Sequence, residues 1–139
     1  MTDIQIIERQ VHTYYWDKDI NCARCTLLIL GTLFKEPMEQ QTLQAAIGMH
    51  GAGGAGAQCG LVEGSLMFIG IHFARKGMDD AAISTICRQF AQAFCKEFSS
   101  LACSSLRPGG FKADDPPHLC EHLTVRAISF AYGFIRSMT

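Results

Sequence analysis

The sequence lacks an excess of charge of either sign. It has 12 lysines and arginines against 13 aspartates and glutamates, which gives a formal net charge of -1. Nucleic-acid-binding domains are usually basic, and disordered chains are usually poor in apolar residues, whereas 48% of these residues are hydrophobic. We therefore expect a globular protein with no nucleic-acid partner.

The sequence also lacks a long uninterrupted apolar run. Its most apolar window, residues 61–74, contains Glu63 and His72 and is shorter than the ~20 residues that span a bilayer. The first ten residues show neither the basic start nor the apolar core of a signal peptide. These features predict a cytoplasmic protein without membrane insertion.

Alternating strand patterns are absent, and apolar residues recur instead at helical spacing. The length suits one domain, residues 1–139. We predict an all-α fold, a compact bundle of five to six helices. The helices are expected over residues 3–16, 20–34, from Pro37 to about residue 48, 58–75, from Asp79 or Asp80 through Phe98, and 117–136.

The segment "HGAGGAGAQCG" contains a glycine motif. Gly51, Gly53 and Gly56 match G-x-G-x-x-G, which binds dinucleotides when a strand precedes it and a helix follows. The preceding "TLQAAIGMH" is typical of a helix rather than a strand. The motif therefore lacks its structural context, and we expect no nucleotide.

A second glycine pattern overlaps the first. Gly56, Gly60 and Gly64 recur every four residues and would share one face of the predicted helix. Each interior glycine costs a helix about 1 kcal/mol relative to alanine, so the pattern needs a reason. Two interpretations stay open: close packing against another helix, or a cofactor or partner lying over this face beside Cys59.

Seven cysteines are present, an odd number, in a chain without a visible export signal. Such cysteines are more often metal ligands, redox thiols or core residues than disulfides. Cys22, Cys59 and Cys120 lie at predicted helix starts, where the helix dipole favours a thiolate, and Cys103 follows the fifth helix. These four would converge if the helix starts face one end of the bundle.

The other cysteines have simpler interpretations. Cys87 and Cys95 lie on or beside the aromatic stripe of the fifth helix and are expected in the core. Cys25 forms C-x-x-C with Cys22, but a zinc ribbon needs a second such pair and a thioredoxin-like site needs a βαβ unit. We expect Cys25 to pack in the helix. Without C-x-x-C-H, covalent haem is not expected.

Three polar residues lie close to these cysteines in sequence. His118 and His122 flank Cys120 and are candidates for a place beside a site, although surface positions are the commoner role for such histidines. Glu63 follows Cys59 by four residues and is open to interpretation as a proton acceptor, an ion-pair partner or an exposed residue.

The ordered cysteine segments resemble a known family. They are "NCARC" at 21–25, "CGLVEG" at 59–64, "SLACSSL" around Cys103 and "HLCEHL" around Cys120. Together they are similar to the C-GCAxxG-C-C family, whose members are regarded as redox-active because of four cysteines. The resemblance covers almost the whole chain. One departure is Leu61, where the motif has alanine, and we expect its larger side chain to reduce space beside the glycine face.

The resemblance implies redox activity without a defined biochemical role. Family members are often encoded beside transporter genes, and a similar module occurs in split-Soret cytochromes, which carry an iron–sulfur centre as well as haem. A redox partner linked to a transporter is therefore implied, its identity unknown. A homodimer is left open by the sequence, as is the question of whether the protein is an enzyme.

Three hypotheses follow for the site. In the first, Cys22, Cys59, Cys103 and Cys120 hold an iron–sulfur cluster or another metal for electron transfer or redox sensing, with Gly56, Gly60 and Gly64 giving the cofactor backbone access. In the second, two cysteines cycle without metal between dithiol and disulfide, with Cys22 or Cys59 as the attacking thiolate. In the third, the protein is a non-catalytic scaffold with core cysteines.

Overall fold

Five long helices and three short ones form the fold. The computed structural model describes all 139 residues and contains no strand, so the all-α prediction is confirmed. The helices are α1 Asp3–His12, α2 Cys22–Leu33, α3 Gln40–Ala45, α4 Gly51–Gly54, α5 Gly60–Arg75, α6 Asp80–Phe98, α7 Cys103–Leu106 and α8 Glu121–Met138.

Local features set the helix starts: α6 begins as predicted, whereas α2 and α8 begin later than predicted. The Asn21 side chain caps α2, because its Oδ1 accepts the Arg24 N–H at 2.9 Å, and Asp79 caps α6 in the same way. Helix α8 begins at Glu121 rather than at residue 117, since His118 has a positive φ of 58°. Helix α1 continues into a π-helical turn, Thr13–Asp17.

The core lies around α5, which packs against α2, α6 and α8. Four fully buried phenylalanines, two on α5 and two on α6, fill it: Phe68, Phe73, Phe90 and Phe94. Cys25 is also fully buried there, so its predicted packing role is confirmed. Cys87 is only half-buried and packs against the core, and Cys95 is exposed, so the prediction that Cys95 is a core residue is wrong.

The glycines of α5 allow close contact with α2. A Cβ on Gly64 would lie 2.7 Å from the Ala23 carbonyl oxygen, and one on Gly60 would collide with Cys22 Sγ and the Met49 carbonyl oxygen. Both glycines therefore serve helix packing, the first of the two interpretations. Gly56 does not share their helical face, because it precedes α5 and has a φ of +80°.

The longest helices have mixed surfaces. None of them is at once long enough and apolar enough to cross a membrane. Their buried faces are explained by packing within the bundle.

Candidate functional site

The fold brings four cysteines from four separate helix starts to one end of the bundle. Cys22 is the first residue of α2, Cys103 is the first residue of α7, and Cys59 and Cys120 precede α5 and α8 as N-caps. The charge that each of the other three thiols would carry raises the pKa of Cys22. The four sulfurs therefore lie within electrostatic reach of one another.

Backbone pairing holds Cys59 and Cys103 together. The Cys59 N–H donates to the Leu101 carbonyl at 2.8 Å, and the Cys103 N–H donates to the Ala57 carbonyl at 2.6 Å. Between these bonds, Gln58 and Ala102 form an isolated antiparallel bridge. Two chain segments more than forty residues apart are thus tied side by side, each presenting one cysteine.

Glycine packing places Cys22 beside the start of α5. Its Sγ lies where a side chain on Gly60 would be, next to Cys59 in the chain. The Val62 N–H donates to the Cys59 carbonyl oxygen at 3.0 Å. The nearby backbone N–H groups of Leu61 and Val62 lower the pKa of Cys59, and that of Ala23 lowers the pKa of Cys22. Cys22 and Cys59 therefore form the inner pair of the group, in which Cys59 is buried and Cys22 is half-buried.

Burial controls the ionisation of these thiols. Desolvation is the main cause that raises the pKa of Cys22 to about 12 and that of Cys59 to about 11, and it also raises the pKa of Cys103 and of Cys120. The N–H donors at the helix starts lower the pKa of the inner pair, but by less. The expectation that the helix starts favour thiolates is therefore wrong for the reduced thiols.

A guanidinium not identified from the sequence lies beside the outer cysteines. Arg107 lowers the pKa of Cys103 by its charge, and lowers that of Cys120 by its charge and a hydrogen bond. Asp115 Oδ2 fixes Arg107, accepting from Nη2 at 3.0 Å and Nε at 3.3 Å, and the guanidinium lies 4.8 Å from the Phe111 ring centroid. Arg107 thus supplies positive charge where thiolates would form.

An open cavity of about 430 Å³ adjoins the cysteines. Cys22, Cys103 and Cys120 line it, whereas Cys59 is only 5% exposed and lies behind them. Leu61 is buried in the core and does not line the cavity, so the expected loss of space beside the glycine face does not extend into this cavity.

The polar residues next to the cysteines in sequence differ in whether they line this cavity. His118 lines the cavity, with its ring stacked 5.0 Å from that of Tyr15 and its Nε2 3.1 Å from Asp19 Oδ1. His122 is exposed and outside this cavity. Glu63 accepts a hydrogen bond from Gln58 and is also outside it. Only His118 therefore adjoins the candidate site.

The four cysteines suit a metal by the type of their ligand atoms but not by their arrangement. Four thiols are the ligand set of iron–sulfur clusters and of soft metals. However, no group of three or more His, Cys, Asp or Glu side chains is arranged to hold a metal ion. The residues fit a thiophilic metal by type but do not form a closed ligand set as placed, and their assignment as ligands stays a prediction.

Comparison with known proteins identifies the family. Residues 20–133 match the family model described as "Putative redox-active protein (C_GCAxxG_C_C)", a span that includes all four cysteines of the site. The chain belongs to this family. Searches of curated proteins and of solved structures gave no match.

Proposed function

We propose that Cys22, Cys59, Cys103 and Cys120 act together as one redox site. The observation that carries the proposal is that Cys22, Cys103 and Cys120 line one cavity, with Cys59 next to them, although they come from four distant helix starts. A fold that needed cysteines only as small apolar residues would have no reason to group them beside an open cavity and a guanidinium. Membership of a redox-active family supports the same function.

The first candidate occupant is an iron–sulfur cluster or another thiophilic metal, held by these four cysteines. Such a cluster supplies one-electron transfer when bound. The chain would contribute N–H donors at Cys22 and Cys59 and the positive charge of Arg107, which stabilise the anionic sulfurs and tune the potential. Since the ligand set is not closed, binding requires the outer cysteines to move inward.

The second candidate is a metal-free dithiol. The contact of Cys22 Sγ with the Gly60 position, adjacent to Cys59, favours this pair. Oxidation would form one S–S bond between Cys22 and Cys59, and two electrons and two protons would pass to a disulfide-bearing partner, whose S–S bond breaks to give two thiols. Burial and the raised pKa values would make the uncatalysed attack slow at neutral pH.

Anaerobic purification followed by an absorption spectrum and iron, zinc and acid-labile sulfide analysis separates the candidates. A cluster predicts charge-transfer bands with stoichiometric iron and sulfide. Replacing any of the four cysteines by serine should remove or alter them, while Cys95→Ser, at an exposed position outside the site, should not. Equal metal content in wild type and all four variants would refute the cluster.

Thiol counting tests the dithiol candidate. A colourless protein that also resists reconstitution with iron and sulfide should lose two thiols on mild oxidation, and peptide mapping should find Cys22 joined to Cys59. If the thiols stay reduced and each serine variant loses only stability, the scaffold hypothesis is supported instead. The transporter-linked partner and the homodimer stay predictions, which gene neighbourhood and analytical ultracentrifugation would test.

A further inference from the structure

The cavity beside the cysteines is lined by an arginine side chain whose hydrogen bonds are incomplete. Arg24 lines it, and the Nε of this arginine is shielded from solvent without a hydrogen-bond partner. A buried donor left unpaired costs about 1–3 kcal/mol, more when the group is charged. The backbone N–H of Arg24 donates to the Asn21 cap, whereas no acceptor of the protein pairs with its side-chain Nε.

Other charges around the cavity leave it cationic. Arg107 also lines it, while Asp19 is the one acidic residue in the lining. The Asp19 carboxylate is 86% exposed and lies 3.1 Å from His118 Nε2, so it is directed to solvent and already paired. Asp115 binds Arg107 but is not part of the lining. An anion inside would therefore meet two guanidiniums and no free carboxylate.

The remaining wall is largely apolar. Ile47 and Phe111 are exposed to 53% and 50%, unusually high for large hydrophobic side chains, and both face this cavity together with Ile20. Apolar walls with a few convergent polar groups are the usual composition of small-molecule sites. The volume of about 430 Å³ lies within the range of such sites.

We propose that this cavity binds a small organic anion, a carboxylate or sulfonate, whose charged group is held by Arg24 and Arg107. Its apolar part would lie against Ile47 and Phe111, next to Cys22, Cys103 and Cys120. The inference deepens the proposed function, because it assigns a small-molecule substrate class to the same cysteines, and its chemistry rests on their being redox-active.

Two aromatic disulfides test the charge preference. Dithiobis(nitrobenzoate) carries a carboxylate on each ring, and dithiodipyridine is uncharged at neutral pH. In each, a protein sulfur attacks the S–S bond, one arylthiolate leaves and a mixed disulfide forms; a second protein thiol then releases the other arylthiolate, and the reagent has gained two electrons. The ratio of the two rates reports anion binding, because the same thiols react in both.

The rates are measured on the purified protein with Cys87→Ser and Cys95→Ser, since these two thiols lie outside the cavity. Arg24→Gln and Arg107→Gln should each lower the anionic-to-neutral rate ratio about tenfold, equivalent to ~1.4 kcal/mol. Arg88→Gln removes the same charge from an exposed position on α6 and should leave the ratio unchanged. Sodium methanesulfonate should slow the anionic reagent in the parent protein but not in Arg24→Gln.

A ratio unchanged in both arginine variants, or lowered equally by Arg88→Gln, would overturn the anion site. This outcome is distinct from failure of the proposed function. A protein with a cluster or a reversible disulfide but no charge preference would retain its redox site and lack the anion site. Conversely, a charge preference in a protein with neither cluster nor reversible disulfide would leave the anion site without redox chemistry.

Discussion

Gly60 is the residue whose size most directly limits the site. A Cβ on Gly60 would occupy space that Cys22 Sγ and the Met49 carbonyl oxygen already fill. In Gly60→Ala, a backbone oxygen and the start of α2 would have to shift, so we expect a loss of about 1–3 kcal/mol in the free energy of unfolding, typical of overpacking. Urea denaturation measures it, and the metal or disulfide assay should show a matching loss.

Gly70 provides the matched control on the same helix. Nothing lies within 4 Å of a Cβ placed there, and its φ is not positive. Gly70→Ala should therefore stabilise the protein by about 0.5–1 kcal/mol, because alanine is the better helix former. If both variants were equally stable, the close approach at Gly60 would not be a constraint.

The ionisation of Cys59 gives a second prediction for single residues. Its folded pKa of about 11 leaves ~0.1% thiolate at pH 8, and its side chain is buried. In the reduced, metal-free protein we expect iodoacetamide to modify exposed Cys95 first. Modification of Cys59 should accelerate about tenfold per pH unit through pH 10, because the thiolate fraction grows until the pH passes the pKa.

Peptide mass mapping at successive times follows the two sites separately. Cys95→Ser should remove the fast phase and leave the slow one unchanged. Rapid modification of Cys59 at pH 7, with a rate that levels off below pH 9, would show that its thiol is more acidic than the buried geometry implies.

Sequence reasoning selected the four cysteines of the candidate site but not their environment. Cys22, Cys59 and Cys120 lie at helix starts, a local feature that spacing and capping residues reveal. No local pattern marks Arg107, because its role depends on the fold, which brings Cys120 close to it although Cys120 lies thirteen residues later in the chain. Burial likewise reverses the expected direction of the thiol pKa, and burial is a property of tertiary packing.

Among the helices, the start of α2 depends on one side chain with two roles. Asn21 Oδ1 caps the helix, while its Nδ2 donates to the carbonyls of Ala46 at 2.9 Å and Ile47 at 2.7 Å. Asn21→Ala should therefore cost about 2–3 kcal/mol, the sum of a cap and partly buried hydrogen bonds. Because Cys22 follows directly, the variant should also loosen the site.

Two comparisons separate the contribution of the tether, the Nδ2 hydrogen bonds of Asn21 to Ala46 and Ile47, from that of the helix cap. Asn21→Asp keeps an acceptor for the Arg24 N–H but lacks the donor to the two carbonyls. Its free energy of unfolding should therefore lie between those of wild type and Asn21→Ala. Asp79→Ala removes only the cap of α6, where Oδ1 accepts the Ala82 N–H at 2.8 Å, and should cost about 1 kcal/mol. Equal losses for Asn21→Ala and Asp79→Ala in urea denaturation would mean that the tether contributes nothing.

The long helices were predictable, whereas the two four-residue helices were not. Helices α1, α2, α5, α6 and α8 carry enough turns for an apolar periodicity to emerge. The four-residue helices α4 and α7 are too short for any periodicity, and α4 contains Ala52 and Gly53 at positive φ. The bridge of Gln58 with Ala102 explains why α5 begins at Gly60 and not at residue 58, since this pairing is non-local.

At the scale of the whole molecule, the site joins parts of the chain that otherwise contact each other little. Cys22 and Cys59 belong to the packed pair α2 and α5, whereas Cys103 and Cys120 bound the connection between α6 and α8. This connection contains only the short helix α7, and its residues 111–114 are exposed. Chemistry that ties all four cysteines together would therefore restrain this segment, and chemistry confined to the inner pair would not.

Limited trypsin digestion turns this difference into a test. Cleavage after Lys112, in the exposed connection, should slow about tenfold when a cluster ties Cys103 to Cys120, equivalent to ~1.4 kcal/mol of local stabilisation. Cleavage after Lys76, in the turn before α6, should not change. A disulfide between Cys22 and Cys59 should leave both bonds unaffected, because neither end of the connection is then held.

The comparison uses protein reconstituted with iron and sulfide, mildly oxidised protein and reduced protein, with Cys120→Ser in each state. Protection at Lys112 on reconstitution, lost in Cys120→Ser, would mean that the outer cysteines close onto the inner pair when metal binds. Protection at neither bond in any state, in a protein that does form the disulfide between Cys22 and Cys59, would restrict the chemistry to this pair. Cys103 and Cys120 would then adjoin the cavity without being part of the redox couple.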